Sequence, residues 1–286
     1  DLHAHRIVEL PPASDGWAAA DGKHAVTMAD RTATAWNLVD KTVLHRVELA
    51  ARPTVAAWSP HGDAIAFGTG TGDVIVWSIA GEAAPTAIYH HRGGVTSISW
   101  GAGGLVVSGD DQGGVHVWAA SRAATVTAYS LGGPVDFVAF SRDGARFGVA
   151  AGSQIEVRDA ATLGVLAHLA HEANVLSFDF DDRGERLVSG AEDSIGRVWR
   201  VADGALVARL SGASAGVYSP QFVGGSLAVA TGGDGVLRFW DIDRAKEIVV
   251  LPGATSVGSA VLHDPAGDFL VISVTGEIVT WRLPTL

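Results

Sequence analysis

Six tryptophans and one arginine recur along the 286-residue chain at almost equal spacing: Trp36, Trp77, Trp118, Arg158, Trp199, Trp240 and Trp281 each follow the last by 40 or 41 residues. A period of roughly 40 to 45 residues closed by a tryptophan marks one supersecondary unit that cannot bury its own apolar face and must stack against its neighbours. In an all-β chain that unit is a four-stranded sheet, and such sheets are predicted to stand radially as the blades of a propeller.

Local patterning agrees with this period. Before each anchor the residues alternate as in a half-buried strand, as in GDVIVW at 72–77, GGVHVW at 113–118 and SQIEVR at 153–158. The period is two, not 3.6. The position two before the anchor carries His116, Glu156, Arg197 or Arg238 and is read as the polar side of the strand. Short apolar runs about ten residues upstream, AIAFG at 64–68, LVVSG at 105–109, LVSG at 187–190 and LAVATG at 227–232, supply a second strand. Earlier runs end in a large ring and a turn: AAWSPHGD at 56–63, VAFSRDG at 138–144 and FDFDDRG at 178–184. Gly62, Gly144 and Gly184 there provide the positive φ that such turns require. After each anchor comes a fourth strand, as in TVLHRVEL at 42–49 and TVTAYSL at 125–131.

Seven anchors predict seven four-stranded antiparallel blades in a single domain, 1–286. Only five residues follow Trp281, too few for a fourth strand, while HRIVEL at 5–10 echoes HRVEL at 45–49. Because a ring of sheets must close to remove its edges, the N-terminal strand is expected to complete the last blade.

Composition narrows the function. A net charge of −11 gives no electrostatic reason to approach a phosphate backbone, so nucleic acid is not an expected partner. No apolar run approaches the roughly 18 residues of a membrane helix, so no membrane is expected either. Cysteine is absent, which removes disulfides, thiolate zinc sites and thiol nucleophiles. The first 20 residues lack a basic start followed by an apolar core, so the cytoplasm is the expected location. The chain begins at Asp1, which leaves room for a trimmed leader. High Ala and Gly content points to a GC-rich bacterial source.

In its repeat the chain resembles the WD-repeat (WD-40) β-propeller family over essentially its whole length. The fifth unit matches best: AHEANVLSFDFDDRGERLVSGAEDSIGRVW places His171, Ser189, Asp193 and Trp199 where that family builds a buried polar network. Elsewhere His91, Ser108 and Trp118, Asp234 with Trp240 and Asp241, and Asp30 with Trp36 preserve fragments of the pattern. Arg158 replaces one tryptophan, and Gln112 and Thr71 replace the turn aspartate.

Ser189, His171 and Asp193 are also the residue types of acyl transfer. Their spacing fits the repeat and no oxyanion loop accompanies them, so a structural network is expected: the Trp199 indole donates to Ser189, the hydroxyl reaches His171, and Asp193 accepts from the imidazole. His3 with His5, His90 with His91, and His168 with His171 suggest chelation, yet the sequence places no third ligand, and neither a metal nor a cofactor is expected. GTGTGD at 68–73 precedes a strand, not the helix that a phosphate loop needs. Asp179, Asp181, Asp182 and Glu185 read as a solvated turn with only a weak case for calcium. Trp58 and Trp100 are core by position, and Trp17 has no assigned place.

The resemblance implies a non-catalytic platform that binds a protein or peptide, as a monomer or as one subunit of a hetero-complex. Repeat position puts Arg52, Arg92, Thr96, Asp111 and Asp136, and then Glu172, Asn174, Leu176, Glu192 and Tyr218, on or near the narrower rim, where loops enter the first strands. Acidic groups around an aromatic anchor suit a basic segment carrying one apolar side chain. The alternative is a propeller enzyme, lactonase- or quinoprotein-like, using the central channel; the first strands supply mainly Ala, Ser, Val and Gly, against that reading.

Overall fold

The computed structural model describes residues 4–9, 15–19, 23–79, 85–120, 124–223, 225–252, 260–263, 268–272 and 277–282. Among them all 28 elements are β-strands. The chain divides into two compact units, Leu10–Phe140 and Asp1–Glu9 with Ser141–Leu286. Strand β1 (Ala4–Glu9) belongs to the latter.

The unit Leu10–Phe140 contains three antiparallel sheets whose strand order follows the chain. The first joins β2 (Asp15–Ala18), β3 (His24–Ala29), β4 (Thr32–Asn37) and β5 (Thr42–Glu48). The second joins β6 (Pro53–Trp58), β7 (Ala64–Thr69), β8 (Asp73–Ser78) and β9 (Thr86–His90). The third joins β10 (Val95–Trp100), β11 (Leu105–Asp110), β12 (Gly114–Ala119) and β13 (Ala124–Ser130), and β14 (Phe137–Phe140) ends the unit.

In the other unit β15 (Arg146–Ala151), β16 (Gln154–Asp159) and β17 (Val165–Ala170) pair in that order. Two sheets follow: β18 (Val175–Phe180), β19 (Arg186–Ala191), β20 (Gly196–Arg200) and β21 (Ala205–Leu210), then β22 (Val217–Phe222), β23 (Leu227–Gly232), β24 (Val236–Asp241) and β25 (Lys246–Pro252). The last strands, β26 (Ala260–His263), β27 (Asp268–Ile272) and β28 (Glu277–Arg282), form a sheet with β1 at its edge. There β1 runs antiparallel to β28, with Ala4 opposite Trp281 and Arg6 opposite Val279. The two chain ends are hydrogen-bonded neighbours, as the echo of HRVEL predicts.

The expected turns are present, with φ of 70° at Gly62, 69° at Gly144 and 62° at Gly184. A second glycine position explains how sheets stack. A Cβ at Gly68 would meet Val95 Cγ1 at 2.4 Å, and one at Gly109 would meet Val135 Cγ1 at 2.2 Å. In the other unit a Cβ at Gly190 would meet the Val217 carbonyl oxygen at 2.2 Å. Glycine in the second strand lets the next first strand lie directly on the sheet.

Side chains of the first strands then tie successive sheets together. Thr54 Oγ1 donates to Gly68 O at 3.2 Å in its own sheet and to Val95 O at 2.9 Å in the next. Thr96 repeats the pattern with Gly109 O at 3.1 Å and Val135 O at 2.5 Å. Ser97 Oγ accepts the Val138 N–H at 3.0 Å, and Ser177 Oγ accepts that of Ser219 at 2.9 Å. Apolar faces fill the space between: Val26, Met28, Ala35, Ile65, Phe67 and Trp77 share one cluster.

Because sheets cover both faces of the third strand, its polar positions differ from the half-exposed side expected for them. Glu156, Arg197 and Arg238 are buried and His116 is mostly so. Trp58 is buried as expected, Trp100 only partly. Trp17 is partly buried against the first cluster, and its carbonyl accepts the Trp58 indole N–H at 3.1 Å.

Candidate functional site

Three of the four residues of the fifth repeat's network come together. Trp199 Nε1 donates to Ser189 Oγ at 2.9 Å, and the Ser189 hydroxyl donates to His171 Nε2 at 2.7 Å. His171 Nδ1 then donates to Leu169 O at 3.2 Å. Burial, reinforced by the Arg197 charge, pushes His171 down to about 4, so the imidazole is neutral and its tautomer is set by these bonds. Asp193 does not accept from the imidazole, contrary to expectation. It faces Arg197, with Nη1–Oδ1 at 3.1 Å and Nη2–Oδ2 at 2.5 Å, and also accepts Ile195 N–H at 3.1 Å. A guanidinium four residues along the hairpin outcompetes a ring N–H for a carboxylate.

The Ser-His-Asp line expected there is found instead in the third sheet. Ser108 Oγ donates to His91 Nε2 at 2.7 Å, and His91 Nδ1 donates to Asp110 Oδ2 at 2.9 Å. Asp110 also accepts the N–H groups of Gly114 at 2.7 Å and Gln112 at 2.9 Å. Burial pushes the Asp110 carboxyl up, but these donors outweigh it and hold the group below the usual range. Asp110 was missed in the sequence because it lies two residues before Gln112, the repeat's usual aspartate position; its only signal is the doubled Asp110-Asp111. The geometry is that of a hydrolytic triad, but Ser108 and His91 are each 0% exposed, so no substrate reaches the hydroxyl. Tyr89 donates to His116 Nε2 at 2.5 Å beside this line, and burial pushes His116 down to about 4.

Three other sheets satisfy their anchors differently, while the Trp118 indole N–H of the third is buried without a hydrogen-bond partner. Trp36 donates to Thr27 Oγ1 at 2.8 Å and Trp240 to Ser211 O at 2.8 Å. Arg238 grips Asp234 at 2.9 and 2.7 Å, and Ser214 Oγ donates to the same carboxylate at 2.8 Å, holding it well below the usual range. Arg158, in the tryptophan's place, pairs with Glu156 at 2.6 Å and donates to Leu163 O at 2.7 Å. These groups are structural ties, with every partner inside the chain.

The rim residues divide by unit. In Leu10–Phe140, Arg52 is exposed and paired with Asp15 at 2.7 Å, Thr96 is committed to two carbonyls, and Arg92, Asp111 and Asp136 are exposed. In the other unit Glu172, Asn174 and Glu192 are exposed, with Glu172 3.4 Å from Arg209. Leu176 and Tyr218 are half-buried and converge on Gly216, where a Cβ would meet Leu176 Cδ1 at 2.9 Å, Tyr218 Cε2 at 3.5 Å and Glu192 Cα at 3.6 Å. Leu176 and Tyr218 occupy the strand position of Thr54 and Thr96, and neither carries the hydroxyl that those two spend on the neighbouring sheet.

Asp179 is not part of a solvated turn, as the sequence suggested. It lies on β18, where Oδ2 accepts the Phe222 N–H at 3.3 Å. His90 pairs with Asp73 at 2.9 Å. His3 and the His5 side chain lie outside what the structure describes. Among the described residues no three His, Asp or Glu side chains gather as for a metal ion, and no helix is long and apolar enough to cross a membrane.

Repeated four-stranded antiparallel sheets, one of them with an indole–hydroxyl–imidazole tie, are features of WD-repeat proteins. The family described as WD domain, G-beta repeat matches residues 84–119, 163–200 and 204–241, so the chain carries at least three WD repeats. It is 30% identical over 116 residues to the human (Homo sapiens) Angio-associated migratory cell protein, 40% of this chain and 26% of that protein. The Periodic tryptophan protein 2 homolog of Caenorhabditis elegans is 28% identical over 223 residues, 75% of this chain and 23% of the relative. The SIR4-interacting protein SIF2 of Saccharomyces cerevisiae is 22% identical over 212 residues, 67% and 39% of the two chains. The match thus spans between 23% and 39% of these relatives' lengths. All three are eukaryotic and lend no support to a bacterial source.

Proposed function

We propose that the chain is a non-catalytic protein-interaction platform: a single domain of seven blades, closed by β1, that holds a peptide or protein segment on its narrower face. The WD repeats support the platform, and one relative is named for its interaction with SIR4. The observation that carries the docking face is the meeting of Leu176, Tyr218 and Glu192 around Gly216. An aromatic and an aliphatic side chain relieved of the stitching role, beside an exposed acid, suit an apolar side chain next to a basic one. By repeat position Arg92, Asp111 and Asp136 of the unit Leu10–Phe140 match Glu172, Glu192 and Leu176. The proposed location is the cytoplasm.

Affinity purification from the source organism with wild-type chain and with Tyr218→Ala/Asp136→Lys tests the reading. The double variant is expected to fold normally and lose the partner; recovery of the same partner places docking elsewhere. Closure is tested by deleting residues 1–9, which strips β28 of its neighbour and is expected to cause aggregation through the open edge. A truncated chain that stays monomeric with unchanged melting overturns closure.

A further inference from the structure

The fifth residues of the docking strands differ in kind from those of the other unit. Ala57 and Ser99 occupy this place on β6 and β10, whereas Asp179 and Gln221 occupy it on β18 and β22. Ser99 Oγ simply accepts the Phe140 N–H of the following strand at 3.1 Å. Asp179 does the same for Phe222, so its carboxyl group touches the peptide that joins Gln221 to Phe222. Gln221 Oε1 is buried without a hydrogen-bond donor. Between the two strands there is therefore an acid with an oxygen to spare and an amide oxygen in want of a proton donor.

We propose that Asp179 and Gln221 form a proton-operated cross-link between β18 and β22: the protonated carboxyl donates its O–H to Gln221 Oε1, and loss of that proton to solvent leaves two facing acceptors and a looser joint. Chemistry supports both halves. A buried acceptor without a donor is costly, and the protonated acid is the donor at hand. Burial raises the Asp179 carboxyl to about 6; Arg142 opposes that, as do the N–H groups of Phe222 and Phe180, and Asp182 adds to it. Arg142 is itself held by Asp182 at 2.6 Å, and Arg186, over the Phe222 ring, is held by Asp181 at 3.0 Å. No guanidinium is bonded to Asp179 among the described contacts. The backbone at the joint is already strained, with Ser219 at a φ of 45° just before Pro220. Leu176 and Tyr218 stand three residues upstream on the same strands, so the cross-link sets their spacing; that consequence rests on the docking reading above, whereas the joint itself is tested on the chain alone.

Amide hydrogen exchange of Phe222 and Ser219, corrected for the intrinsic pH dependence, is measured at pH 7.5 and pH 5 together with an NMR titration of the Asp179 carboxyl. Wild-type exchange is expected to slow about tenfold at the lower pH, one decade for each pKa unit of differential protonation. Asp179→Asn, whose amide donates permanently, is expected to be slow at both pH values. Gln221→Met, which keeps the volume and lacks the acceptor, is expected to lose the pH dependence. The proposal is overturned if Asp179 titrates near 4, if Asp179→Asn exchanges faster than wild type at pH 7.5, or if Gln221→Met keeps the full pH response.

Discussion

Arg197 reaches back four residues along its hairpin to hold both carboxylate oxygens of Asp193, with the guanidinium side chain only 2% exposed. Arg238 and Asp234 repeat the arrangement 41 residues later. In the third sheet the carboxylate of Asp110 is held instead by the imidazole of His91. A carboxylate at or beside the turn between second and third strands thus recurs in three sheets, held by a guanidinium in two and by an imidazole in the third.

Removing one member of such a pair leaves the other buried and uncompensated. Arg197→Met is expected to cost about 3 kcal/mol, because the Asp193 carboxylate stays largely enclosed. Arg197→Met with Asp193→Asn is expected to recover part of this loss. Urea denaturation of both variants decides it: if the single variant unfolds at the wild-type midpoint, the pair contributes nothing.

Ser189 is the hinge of the other tie, accepting from Trp199 and donating to His171. Ser189→Ala strands both partners in an apolar setting, with an expected cost of roughly 1–3 kcal/mol. Since the hydroxyl is 0% exposed, the loss should appear in thermal melting and in no esterase assay. Stable protein that has lost a measurable esterase activity would reverse the assignment.

Much of this was legible in the sequence, and the exceptions share one physical origin. The tryptophan interval, the turn glycines and the pairing of β1 with β28 all follow from local rules: period, positive φ and an unfilled edge. Arg197 and Arg238 fall on the polar side of a strand that alternation alone makes half-buried; stacking of sheets covers that side too. The partner of Asp193, and the part played by Asp110, escape the sequence for a related reason. Repeat position names the residue, but which donor reaches a carboxylate depends on side-chain length across the hairpin, which spacing does not encode. Asp179 fell among turn acids in the sequence, although the strand extends through it.

Buried neutral histidines make the fold acid-sensitive. His116 and His171 are lowered to about 4 by burial, and His91 is lowered as well. A histidine whose folded pKa lies below its unfolded value near 6.5 contributes stability that is full above 6.5 and lost as pH falls toward the folded value. His116 and His171 are each expected to account for roughly 1–3 kcal/mol of destabilisation between pH 6.5 and 4, and His91 acts in the same direction. Asp179 acts in the opposite sense, since its raised pKa favours the fold as pH falls through 6. Three histidines against one acid predict a net loss. His171→Gln, which can still accept from Ser189, should flatten the melting-temperature profile over that window; a profile as steep as wild type would exclude His171 as a contributor.

Arg158 stands where six other repeats have tryptophan, and restoring the tryptophan should harm the protein. Its guanidinium neutralises Glu156, whose side chain is only 10% exposed, and supplies a donor to the Leu163 carbonyl at the following turn, where Leu163 has a φ of 61°. Arg158→Trp would leave the glutamate buried without a cation and that carbonyl without its donor, at an expected cost of about 2 kcal/mol. The first sheet shows what a tryptophan requires: Trp36 is accompanied by Thr34 at the glutamate's position and bonds to Thr27. Glu156→Thr with Arg158→Trp should therefore be more stable than Arg158→Trp alone, a coupling that a double-mutant cycle in urea measures directly. Additive effects would mean that Glu156 and Arg158 act independently, and the pair would not be what replaces the indole.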